Sequence, residues 1–399
     1  MRHHIPGTDR TDGEGRADTS GLGPGWAAAL AAALLLLPAT PGAALAQGGG
    51  AGGPAGRPGV EVGGLLIAGF RAEPPESARS TAFDLFHARL SASGTAGLGV
   101  QYLVKTGFDP ADRDLSLLDA RLTVPLRPEL RVSAGQFKAP FSREALMEPA
   151  ELQFAERAQG PAALAPLRQV GVQLAGDVLD RRLRYRAGVF NGEGRTAENP
   201  DGLMLYAGRL EFSRLGGDVQ FYDELNVTVG GSAAFADESG RDVSDAGPFH
   251  APLADATDFR GERLLLGGDL QVAYRGVFLA GEYVRGEYDP EPLIDGSTGA
   301  PTQVAEGVSV EGGYKLWGGL VDLIGRVDSF DPPAAGRRDF LVLGANVYPG
   351  LDARLGLQWA ARLDESTAPP NDGVTSPVPS PLPGGLADGQ FIVRLQTGF

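Results

Sequence analysis

The feature of this 399-residue sequence that most constrains its fold is a succession of short segments in which apolar and polar residues alternate. Alternation with a period of two indicates a β-strand with one apolar and one polar face. Sixteen such segments follow one another, an even number: residues 60–71, 81–93, 98–107, 115–124, 130–136, 169–178, 183–190, 203–212, 225–235, 263–274, 277–288, 307–316, 320–330, 339–348, 352–363 and 390–399.

The connections between these segments alternate in length. The even-numbered ones are mostly tight, namely 95–97, 125–129, 179–182, 275–276, 317–319 and 349–351, with 213–224 as an exception. The odd-numbered ones include 137–168, 191–202, 236–262, 289–306 and 364–389. An outer-membrane barrel has short turns at one rim and long loops at the other, whereas a soluble sandwich has no reason to sort its loops in this way. The pattern predicts an all-β fold, a transmembrane antiparallel up-and-down β-barrel of about 16 strands.

The N-terminal region has the pattern of an export signal. Residues 26–37 form an apolar run of twelve, which is too short to cross a bilayer as a helix, and Ala44-Leu45-Ala46 follows it. We therefore predict a signal peptide at 1–46 that is cleaved after Ala46. Residues 47–59 form a flexible Gly-rich segment, and residues 60–399 form the barrel. After the leader no segment reaches about 18 uninterrupted apolar residues, which argues against helical membrane spans.

The sequence lacks the residues that several kinds of catalytic and metal site require. The sequence has no cysteine, which excludes thiol catalysis and cysteine-based zinc sites. His87 and His250 are the histidines that remain after signal removal, so a barrel hydrolase is the less favoured alternative to a channel. A structural or adhesive barrel with acidic loops at Asp109, Asp112 and Asp114 is another alternative. We expect no cofactor, no metal centre and no nucleic-acid partner.

Residues 135–171 interrupt the alternation with a long insertion that carries the helix formers REALMEPAELQFAER. A connection of this length is uncommon inside a compact fold unless it has a function. It is either a surface helix with a solvated charged face or an inward-folded third outer loop that narrows the barrel. In the second case its charged residues would line the pore: Lys138, Arg143, Glu144, Glu148, Glu151, Glu156, Arg157 and Arg168.

Four motifs, in order over about eighty residues, resemble the phosphate-selective porins O and P, a family of bacterial outer-membrane porins: GQFKAPFSREALMEPAELQFAER, PLRQVGVQLAGDV, YRAGVFNGEG and YAGRLEF. The final strand, which ends on Phe399, resembles the C-terminal signature of bacterial outer-membrane barrels. The resemblance implies a sixteen-stranded barrel, commonly trimeric, whose third outer loop forms a constriction. It also implies phosphate selectivity through lumenal arginines and clustered lysines, although this chain has few lysines, chiefly Lys105, Lys138 and Lys315.

The charged residues on the polar face of the strands indicate which ions the channel would prefer. That face carries twelve bases and seven acids, so the wall is expected to be net basic although the whole chain has a net charge of −15. The predicted constriction combines Lys138, Arg143, Arg157 and Arg168 with Arg121, Arg131, Arg184 and Arg186. We expect a homotrimer in outer-membrane lipid that passes small anions such as phosphate with weak discrimination against chloride. The alternative is that acids and bases only cross-brace the wall.

Overall fold

The computed structural model describes residues 59–72, 81–109, 114–196, 198–199, 201–215, 224–241, 259–290, 301–333, 336–350, 353–363 and 389–398. All described residues belong to one compact unit, which spans residues 40–399. The signal peptide and its cleavage site lie outside the described residues. So do His250 and the side chains of Asp109, Asp112 and Asp114.

All sixteen predicted strands are present in the described chain. They are β1 (Val60–Ala72), β2 (Ala82–Thr95), β3 (Gln101–Asp109), β4 (Asp114–Arg127), β5 (Leu130–Lys138), β6 (Arg168–Val178), β7 (Leu183–Phe190), β8 (Leu205–Ser213), β9 (Asn226–Arg241), β10 (Phe259–Tyr274), β11 (Val277–Pro290), β12 (Gln303–Leu316), β13 (Val321–Asp331), β14 (Arg338–Gly350), β15 (Ala353–Arg362) and β16 (Gln390–Gly398).

The strands form one closed antiparallel barrel in sequence order. β1 closes the barrel by pairing with β16, for example Phe70 opposite Val393. A two-residue turn joins β10 to β11 through Arg275 and Gly276, which both have positive φ (46° and 81°). Two central residues with positive φ match the right-handed twist of the flanking strands, so this turn fits a two-residue hairpin. Closure pairs the backbone without leaving a free sheet edge, as a strand in lipid requires.

Apolar side chains lie on the outer face of the barrel wall and charged side chains on the inner face, the reverse of the arrangement in a soluble protein. Large apolar side chains point outward and are exposed, such as Leu122 (56%), Leu210 (60%) and Leu323 (50%). Charged side chains on the other face are buried, including Asp328 (0%) and Arg394 (3%). An exposed apolar band around a polar interior is the arrangement that a lipid-embedded barrel needs.

One strand departs from the predicted alternation. The sequence pattern places Leu118 on the outer face with Leu122 and Val124, but Leu118 is buried, at 6% exposure, while the other two are exposed. The reason is a β-bulge: the register between β3 and β4 shifts where Lys105 faces Asp119 and Thr106 faces Leu117. The extra residue breaks the period of two at that point.

The long insertion is mostly irregular rather than a surface helix. It contains α1 (Arg143–Leu146) and α2 (Gln159–Leu164), so helix formers between them do not form a helix. Pro149 disfavours helical backbone at Glu148, which limits α1 to a single turn. The described residues include no helical segment with the length and hydropathy of a membrane span.

Candidate functional site: the inserted segment and the basic wall

Residues 139–167, which connect β5 to β6, are called the inserted segment below. Its apolar side chains pack into a cluster with inward-facing residues of distant strands. Phe141 and Leu164 are fully buried there, together with Leu265 on β10 and Val284 on β11. Phe154 belongs to a second cluster with Ile324, Phe340, Val342 and Ala360. Burial of a phenylalanine is worth about 1.5–3 kcal/mol, so these contacts anchor the segment.

A close approach of two glycines fixes α2 against the wall. A Cβ atom added to Gly160 would lie 2.8 Å from the Cα of Gly307 on β12 and 2.8 Å from Cγ2 of Val284. A Cβ added to Gly307 would lie 2.5 Å from the Cα of Gly160. Only glycine at both positions lets the two backbones approach this closely.

Polar contacts also attach α1 to the barrel wall. The guanidinium of Arg143 pairs with Glu311 on β12, with 2.6 Å between Nη2 and Oε1. The backbone N–H groups of Arg143 and Glu144 donate to the carboxylate of Glu282 on β11 at 2.8 and 3.1 Å. These two donors lie at the start of a helix, where backbone N–H groups have no partner within the helix and suit a carboxylate acceptor.

The remainder of the inserted segment contacts strands further around the barrel. Asn346 on β14 donates to the carbonyl of Gln153 at 3.0 Å, and Arg394 on β16 donates to the carbonyl of Phe154 at 2.9 Å. The N–H of Ala155 donates to Gln358 on β15 at 2.8 Å. Strands β9–β16, which supply these partners, are called the docked wall.

Glu144 is the most enclosed acid of the inserted segment. Both of its carboxylate oxygens accept from the N–H of Ala158 at 3.1 Å, and Arg326 on β13 lies 3.5 Å away. Burial disfavours the charged form and raises the pKa of Glu144 to about 7, against the opposing effect of Arg326. Glu144 therefore titrates near neutral pH.

Cations gather around Glu148 on the opposite side of the inserted segment. Its carboxylate lies 2.8 Å from Arg89, 3.2 Å from Lys105, 3.6 Å from Arg168 and 3.7 Å from Lys138. Burial alone would raise the pKa of Glu148, but these cations outweigh it and hold that pKa well below its usual range. Glu148 is thus ionised at all physiological pH values.

A second group of inward-facing arginines consists of Arg121 on β4, Arg131 on β5 and Arg184 and Arg186 on β7, and this group is called the basic wall. Arg131 and Arg184 share the carboxylate of Asp177, at 2.9 and 3.0 Å. The Arg121 guanidinium lies 5.9 Å from the centroid of the Phe137 ring. Within the described part of the chain, Arg121 and Arg186 make no ion pair with a carboxylate. Their charges are therefore not neutralised by direct contact.

The eight sequence-predicted site residues thus occupy two different environments. Arg121, Arg131, Arg184 and Arg186 lie together on the basic wall. Of the other four, Lys138 and Arg157 donate to main-chain carbonyls, including that of Met147 at 2.7 and 2.6 Å. Arg168 makes a bidentate pair with Asp119 at 3.1 Å.

Arg143 departs from the expectation that it lines the pore, because its side chain is buried against the docked wall. Glu144, which was also expected to line the pore as a charged residue of the insertion, is buried as well. The central position of Glu148 among four cations was missed, since no local sequence pattern shows which strands surround it.

Comparisons with known proteins agree with this architecture. A sequence model of the family described as phosphate-selective porin O and P matches residues 67–377, which is more than half of the chain. No curated protein matches the chain by sequence.

Solved structures with the same fold include several porins. An anion-selective porin from Comamonas acidovorans has a TM-score of 0.59 at 13% identity, and the match covers 86% of this chain and 100% of that one. OmpF of Salmonella typhi, in a complex with daunomycin, has a TM-score of 0.58 at 11% identity, with coverages of 85% and 97%. The trimer form of OmpT, an outer membrane protein of Vibrio cholerae, has a TM-score of 0.54 at 14% identity, with coverages of 86% and 99%.

Proposed function

Because the chain belongs to the phosphate-selective porin O and P family, we propose that it is a bacterial outer-membrane channel through which small hydrophilic anions diffuse. The observation that carries the proposal is the basic wall. Its Arg121 and Arg186 have no carboxylate partner within the described residues, whereas Arg143 on the inserted segment is paired with Glu311 of the docked wall. Uncompensated cations along one side of a water-filled path attract anions.

The inserted segment forms the constriction in this proposal. Its contacts with β11, β12, β14, β15 and β16 support a position across the barrel interior rather than outside it. The open path then runs between the inserted segment and the basic wall. On this path an anion passes the four arginines of the basic wall and the cations around Glu148, which lie on β2, β3, β5 and β6.

Arginine chemistry favours oxyanions within the class of small anions. The guanidinium is planar, stays charged and offers parallel donors that can bind two oxygens of one oxyanion. Phosphate is therefore expected to pass. The chain has few lysines, and Asp177 compensates both Arg131 and Arg184, so discrimination between phosphate and chloride should be weak.

Three further elements complete the proposal. The protein functions as a passive channel rather than as an enzyme, it assembles as a homotrimer, and it is exported with a signal peptide that is removed after Ala46. The family match and the trimeric relative support the first two. Mass spectrometry of the mature N-terminus tests the third, because the first residue should be Gln47.

The reversal potential in a planar bilayer tests the proposed function directly. A gradient of potassium chloride across a bilayer containing the purified protein should give a potential with the sign of anion preference. The same measurement in potassium phosphate should give a similar sign. Cation selectivity at both low and high salt would overturn the proposal, because salt screening can weaken a preference but cannot create the opposite one.

A further inference from the structure

The carboxylate of Glu148 is surrounded by more positive charge than it can neutralise. Arg89, Lys105, Lys138 and Arg168 lie within 3.7 Å of it. The one other acid in ion-pair contact with this group in the described structure is Asp119, which pairs with Arg168 at 3.1 Å and with Lys105 at 3.5 Å. Four basic side chains thus face two carboxylates, so basic groups outnumber acids in the cluster even when Glu148 is in place.

Exposure shows which member of the cluster faces open space. The Glu148 side chain is 30% exposed, whereas the four cations are between 10% and 18% exposed. The carboxylate therefore covers the cations from the solvent-filled side. An anion that approaches the cluster meets Glu148 first.

The main chain beside Glu148 is held independently of its side chain. The carbonyl of Met147 accepts hydrogen bonds from Lys138 at 2.7 Å and from Arg157 at 2.6 Å. The N–H of Glu148 donates to Glu151 at 2.7 Å. The Glu148 side chain can consequently turn away while its backbone and the cations stay in position.

We infer that Glu148 is an intramolecular competitor for the anions that the channel carries: its carboxylate fills an oxyanion site formed by Arg89, Lys105, Lys138 and Arg168 and thereby keeps anion binding weak. The inference rests on the proposed function as an anion channel. The cations already hold a carboxylate with the oxygen geometry that an inorganic oxyanion would offer. A tethered carboxylate at high effective concentration displaces a passing anion, which favours release over retention.

Isothermal titration of the detergent-solubilised full chain with inorganic phosphate tests this role. Glu148→Gln should bind phosphate about tenfold more tightly than the wild type, the ratio that corresponds to about 1.4 kcal/mol. Glu287→Gln is the matched control, because Glu287 pairs with Arg285 away from the cluster and the substitution makes the same change in net charge. The double variant Arg89→Gln/Glu148→Gln should lose the gain.

The outcomes separate this inference from the proposed function. Equal phosphate affinity in wild type and Glu148→Gln overturns the competitor role, and so does an equal gain in Glu287→Gln. Reversal potentials of the wild type test anion preference independently of either result. If Glu148→Gln does not fold, as judged by heat-modifiable gel mobility, Glu148→Asp takes its place. Aspartate keeps the charge but withdraws it from the cations, so it should raise phosphate affinity about threefold, and no rise overturns the inference.

Discussion

The docked wall and the basic wall are built from the same kind of alternating strand, yet they use their inward-facing side chains differently. On the docked wall, apolar residues such as Leu265 and Val284 and acids such as Glu282 and Glu311 hold the inserted segment. On the basic wall, Arg121 and Arg186 make no ion pair among the described residues. Inward charge on a barrel strand therefore has two uses: it pairs with the inserted segment, or it stays without a carboxylate partner.

Removal of the inserted segment should have the largest effect on the channel. Deletion of residues 142–159 should raise single-channel conductance severalfold, because the docked wall would then border open water. Deletion of residues 366–383, an equal length of the connection between β15 and β16, is the control and should leave conductance near the wild-type value. Unchanged conductance in the first variant would mean that the inserted segment lies outside the pore.

The attachment of the inserted segment to the docked wall should depend on pH, because Glu144 on the segment contacts Arg326 on β13. Its pKa is about 7 in the folded protein and near 4.5 in the unfolded chain, so the folded state binds the proton more tightly between these values. Its contribution to stability is complete below about pH 4.5 and is lost as the pH rises through about 7, a change of about 3 kcal/mol.

Chemical denaturation in detergent between pH 4 and 8 measures this effect. The free energy of unfolding of the wild type minus that of Glu144→Gln should fall across the interval, since glutamine cannot titrate. A difference that stays constant with pH would contradict the assignment of the shifted pKa to Glu144.

The glycine contact between α2 and β12 gives a smaller effect. Gly160→Val places side-chain atoms where Gly307 and Val284 already lie, and overpacking of this kind costs about 1–3 kcal/mol. We expect a lower denaturation midpoint and larger fluctuations of the open-channel current. Gly268→Val on β10 is the control, because a Cβ there meets no atom within 4 Å. Equal destabilisation by both variants would show that the glycine contact has no special role.

The sequence predicts those parts of the structure that leave a local pattern, and it does not predict contacts between residues that are distant along the chain. Alternation is a local signal, so it located all sixteen strands and placed residues such as Arg121 and Arg186 on the inner face. It missed the bulge at Leu118, because the adjacent leucines Leu117 and Leu118 do not by themselves show which of the two faces inward. It could not show that Arg143 meets Glu311, since that contact joins residues 168 positions apart across the barrel.

An arginine without a carboxylate partner and an arginine in an ion pair should contribute differently to ion selectivity. Arg186 has no carboxylate partner within the described residues, whereas Arg143 is paired with Glu311 at 2.6 Å. Loss of one uncompensated charge near the ion path is worth about 1 kcal/mol, so Arg186→Gln should lower the ratio of anion to cation permeability about fivefold. The double variant Arg143→Gln/Glu311→Gln removes both members of an ion pair and so leaves the net charge unchanged, and it should leave that ratio close to the wild-type value.

Reversal potentials at two salt concentrations provide the measurement. The effect of Arg186→Gln should shrink between about 0.1 M and 1 M salt, as the Debye length falls from about 10 Å to about 3 Å. Arg131→Glu and Arg184→Glu, on the same wall, should reduce or reverse the anion preference, because each places a second acid beside Asp177. If Arg143→Gln/Glu311→Gln changes selectivity as much as Arg186→Gln does, the field along the pore comes from both walls, and carboxylate pairing does not separate them.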